Sequence, residues 1–363
     1  MKHWLETRQV FDALSGFHHT GLRAALATVV RVNGSAYRHE GAKLVVAEHD
    51  GSVGNVSGGC LEADVREVAQ RVIVTGVAEL RTYCGGSDEI SAWDLGVGCD
   101  GEVEILIEPV SSARVHERDA IRSECGYVAI TLLRESRECG EAPRMVVTDT
   151  GIHGSLGDDV LDTAVQRYTA QWQSNRESRT VALGDARLMI DVLTPPPRFV
   201  IASAGDDARV LARLASEVGF RVVVVDRRIG LLSRDDFPPL VQSLECDAAR
   251  LTERLVLDAE SFAVVMTHDF ADDTSYLRAF LQTPARYVGV LGPRQRTDRI
   301  LGILGSEGLV DLARIYGPVG LDIGTDGAEQ VALAVLAEVL AVRSGRQPQS
   351  LRDRRAPIHA INV

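Results

Sequence analysis

Charged and apolar residues alternate at helical spacing over residues 3–14, and 22–32 (LRAALATVVRV) is an almost continuous apolar run of strand length. The run 43–47 (KLVVA), a turn at His49-Asp50-Gly51 and the segment 52–57 predict a hairpin. Leu61, Val65, Val68 and Val72 then fall at helical spacing, so Ser57-Gly58-Gly59 leads into an amphipathic helix that starts at or near Cys60. Residues 102–108 (EVEILIE) alternate strictly, the mark of a strand with one buried face. Further strands are expected at 127–133, 144–149 and 187–193, with a helix near 158–172.

The pattern changes at Thr194-Pro195-Pro196-Pro197, where three prolines fix φ and donate no hydrogen bonds. Beyond it the expected order is strand 199–204, helix 207–218, strand 221–226, strand 262–267, helix 273–282, strand 286–291 and helix 294–303. A long helix follows over 327–343. The strands are short, β-branched and apolar throughout, as when helices cover both faces of a parallel sheet. The chain therefore reads as α/β: a mixed α/β domain over 1–194, a Rossmann-like doubly wound domain over 198–345, and a loose polar tail over 346–363. No internal repeat is evident in the sequence.

At 363 residues the chain is long enough for two separate cores. No apolar run approaches the roughly 18–20 residues that a membrane span needs, and the N-terminus lacks a signal peptide's uninterrupted apolar stretch, so a cytoplasmic location is expected. The balance of 51 acidic against 39 basic residues, a net −12, argues against nucleic acid and anionic membrane surfaces as partners. None of the six cysteines forms a CxxC pair, and the spacing of Cys84, Cys99 and the histidines lends little support to a structural zinc site.

A dinucleotide fold places G-x-G-x-x-G after its first strand, so that backbone amides reach a pyrophosphate at the helix start. The matching stretch here is Ser203-Ala204-Gly205-Asp206-Asp207-Ala208, which keeps the middle glycine, Gly205, and an acceptable small third residue. Asp206 and Asp207 suit the positive helix end as caps, and so occupy the place of a phosphate. Asp226, at the end of the second strand, stands where a ribose-binding acid belongs, or is simply a strand-end acid. NAD(P) binding is therefore not expected.

The most suggestive chemistry lies in Val56-Ser57-Gly58-Gly59-Cys60-Leu61-Glu62. A cysteine at a helix start feels the positive end of the helix, which favours thiolate: a nucleophile, soft-metal ligand or sulfur acceptor. The alternative is a small buried cysteine filling a helix–strand junction. Gly34-Ser35-Ala36-Tyr37-Arg38 gathers a hydroxyl, a glycine amide and a guanidinium, suited either to an anion or to a solvated polar turn. Gly96-Val97-Gly98-Cys99-Asp100-Gly101 precedes a strand and is no phosphate loop of the Walker type. Three loops of the second domain follow strand ends, where open α/β sheets bind ligands: Met266-Thr267-His268-Asp269, Gly292-Pro293-Arg294 and 317–324 (GPVGLDIG). His268 is a candidate acid–base group or ligand, or caps the helix near Asp272; Arg294 and Arg296 are candidate anion holders.

Taken together, GSAYRHEGAKL, SVGNVSGGCLEADV and GVGCDGEVEILIEP, followed by VVMTHDF, ARYVGVLGPRQR and YGPVGLDIGTDGAEQVALAVLAEVLA, resemble the XdhC/CoxI family of molybdenum-hydroxylase maturation proteins. The resemblance implies an accessory factor rather than an enzyme. It would bind molybdenum cofactor (molybdopterin), support its sulfuration with a cysteine desulfurase, and deliver it to a xanthine dehydrogenase-type molybdenum hydroxylase. A homodimer is expected. Carried over by position, Cys60 becomes the prime residue for contact with the metal or for handling sulfur. Ser35, Arg38, Gly58, Gly59, Glu62 and Cys99 match the pattern around it, and Gly205, Asp226, His268, Arg294 and Asp322 are the C-terminal cofactor-binding candidates. The chain departs from the family at Asp206, Asp207, Pro293 and Tyr37. Two rival readings stand beside this one: an NAD(P)-dependent oxidoreductase, and a ligand-sensing or scaffold protein without cofactor.

Overall fold

The computed structural model describes residues 2–34, 37–49, 51–59, 61–84, 102–110, 114–134, 139–233, 237–308 and 312–353. The chain divides into two compact units, one over Lys2–Pro195 and the other beginning at Pro196.

In the N-terminal unit helix α1 (Lys2–His19) leads to strands β1 (Ala24–Asn33), β2 (Lys43–Ala47) and β3 (Ser52–Gly54), then α2 (Glu62–Thr75), β4 (Glu79–Cys84) and β5 (Glu102–Val110). Among the described residues these strands form an antiparallel sheet in the order β3-β2-β1-β5-β4. The next stretch repeats that plan: α3 (Val115–Arg122), β6 (Tyr127–Leu133), β7 (Arg144–Thr148), β8 (Gly151–Ser155), α4 (Asp159–Gln166) and α5 (Thr169–Asn175), β9 (Arg179–Leu183) and β10 (Ala186–Leu193). Its sheet runs β8-β7-β6-β10-β9, the same antiparallel path. The expectation of no internal repeat is corrected here. Topology is held by the alternation of buried positions, which many sequences satisfy, while the loops and the connecting helices differ in length.

Over Ala24–Val30, β1 is apolar apart from Thr28 because both of its faces are buried there. Ala25, Ala27 and Val29 pack with Val65, Val68 and Val72 of α2. Ala24 and Leu26 pack with Phe11 and Leu14 of α1 and with Tyr127 and Ala129 of β6, so the two sheets share a core. The single helix expected near 158–172 is two, with Arg167 and Tyr168 between them. Strands β4, β8 and β9 lie at sheet edges and bury few side chains, which removes the alternation that would have revealed them.

The second unit alternates strand and helix: β11 (Arg198–Ala202), α6 (Asp206–Val218), β12 (Arg221–Asp226), α7 (Ile229–Leu232), β13 (Gln242–Glu245), α8 (Leu251–Arg254), β14 (Phe262–Val265), α9 (Phe270–Leu281), β15 (Tyr287–Val290), α10 (Arg294–Ser306), β16 (Ile315–Tyr316) and α11 (Ala328–Ser344). All strand pairs are parallel, in the order β13-β12-β11-β14-β15-β16. This is the Rossmann-like doubly wound sheet, with its order reversing between β11 and β14. Val200, Val223 and Val265 pack on one face, while Phe199, Val222 and Val264 pack on the other against α6 and α11.

Candidate functional site

The helix after β3 begins at Glu62, with Leu61 as its cap residue. Ser57 Oγ accepts the backbone N–H groups of Gly59 and Leu61, each at 3.1 Å, and so does the capping that Leu61 cannot. Glu62 is 7% exposed and turned inward; it accepts the Ser57 N–H at 2.9 Å and the Ser57 hydroxyl. Burial pushes the Glu62 carboxyl up, and the Ser57 hydrogen bonds outweigh this and hold it below its ordinary value. Glu62 thus organises the turn from below and does not face outward as a cofactor-binding side chain.

Gly58 and Gly59 form the exposed crest of the turn. Gly59 has φ +113°, a conformation that disfavours side chains, and a Cβ built there meets nothing within 4 Å, so open space lies before it. A Cβ on Gly58 lies 3.4 Å from the ring of Tyr37, which is 69% exposed. The structure therefore places Tyr37 beside Gly58. Ser35, Cys60 and Cys99 lie outside the described residues. Arg38 is placed differently from expectation: its guanidinium binds the Glu6 carboxylate of α1.

The same unit holds a buried cluster that the sequence did not single out. Lys43 Nζ donates to Asp191 Oδ2 at 2.6 Å and to the Gly41 carbonyl at 2.8 Å, with both side chains almost fully buried. Ser178 Oγ donates to Asp191 Oδ1 at 3.1 Å and Tyr127 OH to Oδ2 at 3.4 Å. Burial raises the Asp191 carboxyl, but the Lys43 charge wins and holds it low. His3, buried beside Lys43, is pushed down to about 4, first by burial and then by that charge. Lys43 and Asp191 are 148 positions apart and sit in otherwise apolar strands, so no local pattern announces the pair.

In the second unit the degraded turn is built as follows. Gly205 caps α6 with no side-chain cap bond and an extended backbone, so the expected capping by Asp206 or Asp207 is corrected. Asp206 pairs with Arg209 one turn on, at 2.8 Å, and Asp207 Oδ2 lies 3.3 Å from His268 Nε2. His268 does not cap the helix after β14 either; Asp269 does, accepting the Ala271 and Asp272 N–H groups at 2.9 Å.

Asp226 is 3% exposed and fully engaged. Oδ1 accepts Arg228 N and Nε, each at 2.9 Å; Oδ2 accepts Arg228 Nη2 and the Ala204 N–H, each at 2.8 Å. Burial raises this carboxyl, and Arg228 with the Ala204 amide brings it below its ordinary value. No acceptor position is left for the hydroxyls of a ribose.

The strand-end loops after β14, β15 and β16 meet in a cleft of ≈420 Å³ lined by His268, Gly292, Pro293, Arg296, Pro318 and Val319, among others. Arg296 points to Asp273 at 2.6 Å, so it anchors the loop. Asp273 in turn accepts the Thr267 N–H and hydroxyl. Arg294 is exposed at the first turn of α10, and Asp322 is exposed in the 317–324 loop; neither lines the cleft. Among the described residues no group of three or more His, Cys, Asp or Glu is placed to hold a metal ion, and no helix is long and apolar enough to cross a membrane.

Two family models match in the order the motifs stand: the XdhC and CoxI family over residues 17–84, and the XdhC Rossmann domain over 199–339, together more than half of the chain. The chain belongs to the XdhC/CoxI family. A Bacillus subtilis protein described as a probable subunit of xanthine dehydrogenase is 29% identical to this XdhC/CoxI member over 327 residues, covering 88% of this chain and 93% of the relative. The molybdenum cofactor insertion chaperone PaoD of Escherichia coli is 24% identical over 364 residues, covering 96% and 95%. A crystal structure described as a xanthine dehydrogenase from Bacillus halodurans superposes with a TM-score of 0.75 at 26% identity, covering 93% of this chain and 97% of that one.

Proposed function

We propose that this XdhC/CoxI member is an accessory chaperone for a xanthine dehydrogenase-type molybdenum hydroxylase: it binds molybdenum cofactor, supports its sulfuration by a cysteine desulfurase, and hands it to the client. The likeness to a named cofactor insertion chaperone over nearly the whole chain supports the accessory role. In this reading the protein works in the cytoplasm as a homodimer. The structural observation that carries the cofactor reading is the exposed Gly58-Gly59 crest, pinned from beneath by Ser57 and Glu62 and open in front of Gly59.

The residues present suit such a cargo. The glycines leave backbone accessible to an oxygen-rich ligand, and Cys60, next in sequence, supplies a soft sulfur for molybdenum. Ser35, Arg38 and Cys99 are the further N-terminal candidates, with Arg38 braced by Glu6. In the Rossmann unit Gly205, His268, Arg294 and Asp322 remain candidates for oxygen or phosphate contacts, His268 the foremost because it borders the cleft. Asp226 serves the turn itself and leaves the set of contact candidates.

The test is to purify the chain from a molybdenum-replete host and measure bound molybdenum and oxidised pterin. Wild type is expected to carry both. Cys60→Ala is expected to lose most of the molybdenum while keeping its melting temperature. A Cys60→Ala protein that binds and transfers cofactor as well as wild type removes the assignment. The rival oxidoreductase reading rests on the strand order of the sheet. It requires calorimetric binding of NAD(H) or NADP(H), and flat titrations dispose of it.

A further inference from the structure

The Rossmann unit carries a second cleft, of ≈410 Å³, that none of the residues assigned above lines. Its mouth lies where three strands end. Arg227 follows β12, Asp247, Ala248 and Ala249 follow β13, and Asp272 opens α9 beyond β14. From there it runs along α9 past Ser275 and Ala279 to Gln282, with Thr252 of α8 on the opposite wall. In a sheet of this order, ligands enter at the carboxyl edge near the reversal, and the volume lies within the range of about 300–1,000 Å³ typical of small-molecule sites.

The lining is amphipathic in a specific way. Ala248, Ala249 and Ala279 present small apolar groups on which a flat ring can lie. Thr252 and Gln282 are exposed, and their side chains have no partner among the described residues, so a hydroxyl and an amide stand ready for ring nitrogens and carbonyls. At the mouth, Arg227 Nε donates to both oxygens of Asp272, at 2.8 and 3.1 Å, which fixes the guanidinium plane. Among the described residues both terminal amino groups of Arg227 remain available, in the fork geometry that suits a phosphate.

Two features exclude the usual dinucleotide mode. Asp226 has no acceptor position left for ribose hydroxyls, because Arg228 and the Ala204 amide take them all. Asp206, paired with Arg209, and Asp207, 3.3 Å from His268, occupy the helix start that a pyrophosphate would use.

We propose that this cleft binds a nucleoside monophosphate, with the base against the alanine wall and the phosphate on the terminal N–H groups of Arg227. The site goes beyond the cofactor role above and does not depend on Cys60.

The experiment is calorimetric titration of the full chain with AMP, GMP, CMP and UMP, with their parent nucleosides, and with NAD. At least one monophosphate is expected to bind saturably, with NAD binding no tighter than AMP. Ala249→Trp, at an exposed position in the mouth, is expected to weaken that binding by about 10-fold or more. Arg227→Ala, at the surface, is expected to weaken the monophosphate several-fold more than its nucleoside, with Arg227→Lys partly restoring it. Circular dichroism melts establish that each variant folds. Flat titrations with all four monophosphates, undiminished binding by Ala249→Trp, or NAD binding more tightly than AMP would each overturn the proposal.

Discussion

Removing the Glu62 carboxylate tests whether the crest of the glycine turn is held from below. In Glu62→Ala the Ser57 N–H and hydroxyl lose the carboxylate they donate to, in a buried setting. Hydrogen bonds to a charged group contribute about 1.5–3 kcal/mol, and a buried donor left unsatisfied costs about 1–3 kcal/mol. Allowing for partial relaxation, the variant should lose about 3 kcal/mol in urea denaturation at neutral pH. Glu62→Gln keeps one acceptor oxygen and should lose about half of that. Because Ser57→Ala removes the hydroxyl bond to Glu62 from the other side while its backbone N–H bond stays, the double variant should fall short of the sum of the single losses by about 1 kcal/mol.

The pH dependence supplies an independent check. The folded Glu62 carboxyl lies below its ordinary 4.5, so its contribution is fully present above the unfolded-state value and is lost as pH falls through the lower folded value. The stability gap between wild type and Glu62→Gln should therefore shrink below about pH 4.5. A Glu62→Ala protein within about 0.5 kcal/mol of wild type, or a gap that stays constant into acid, would refute the reasoning. If the turn supports cargo, Glu62→Gln should also lower molybdenum retention under conditions where the protein remains folded.

Lys43→Met leaves Asp191 charged and unpaired in the core, and urea melts should register a loss of about 3–5 kcal/mol; pairing it with Asp191→Asn should recover part of that loss. Gly41 has φ +88°, and a Cβ there would lie 2.7 Å from Asp191 Oδ1, so Gly41→Ala should destabilise by about 2 kcal/mol or more and lower the melting temperature. Changing Asp206 to Gly and Asp207 to His should bring measurable NADH binding only when Arg228→Ser also frees the Asp226 oxygens; calorimetry with the triple and double variants decides it.

The sequence revealed long-period features well and paired features poorly. β11, β12, β14 and β15 were legible because valines and neighbouring apolar residues fill both faces, whereas β13 exposes three of its four residues and left no pattern to read. The GGC turn stood out through its glycines. Glu62 was picked out as a cofactor-site candidate, but its bond to Ser57, five residues back instead of the three of a capping box, was not legible. Asp226 was found by position, but its occupation by Arg228 depends on a side chain folding back two residues, which spacing alone does not encode. The same holds for Asp207 with His268 and for Arg296 with Asp273, contacts that form only when separate strand ends are brought to one edge.

The duplicated plan of the N-terminal unit gives a physical reason to place function at the glycine turn. After β3 and after β8 the chain does the same job, leaving an edge strand and entering a helix over the sheet. In the second copy Asp158 caps α4 through the N–H groups of Val160 and Leu161, and Asp162 holds the Leu156 N–H at 2.8 Å. In the first copy a helix acid again holds the strand exit, Glu62 on Ser57 N at 2.9 Å. But the residue before the helix is Leu61, the capping comes from Ser57 further back, and two exposed glycines lie between them where the second copy has the single exposed Gly157. An ordinary Asp cap satisfies that connection at little cost, as the second copy demonstrates. The first copy keeps a conformationally permissive turn, which is unfavourable for folding, and compensates it with a buried carboxylate. Such an exchange makes sense where backbone must lie bare to a ligand. The contrast between two copies of one topology thus favours, for the proposed cofactor contact, the Gly58-Gly59 crest over its counterpart at 156–159.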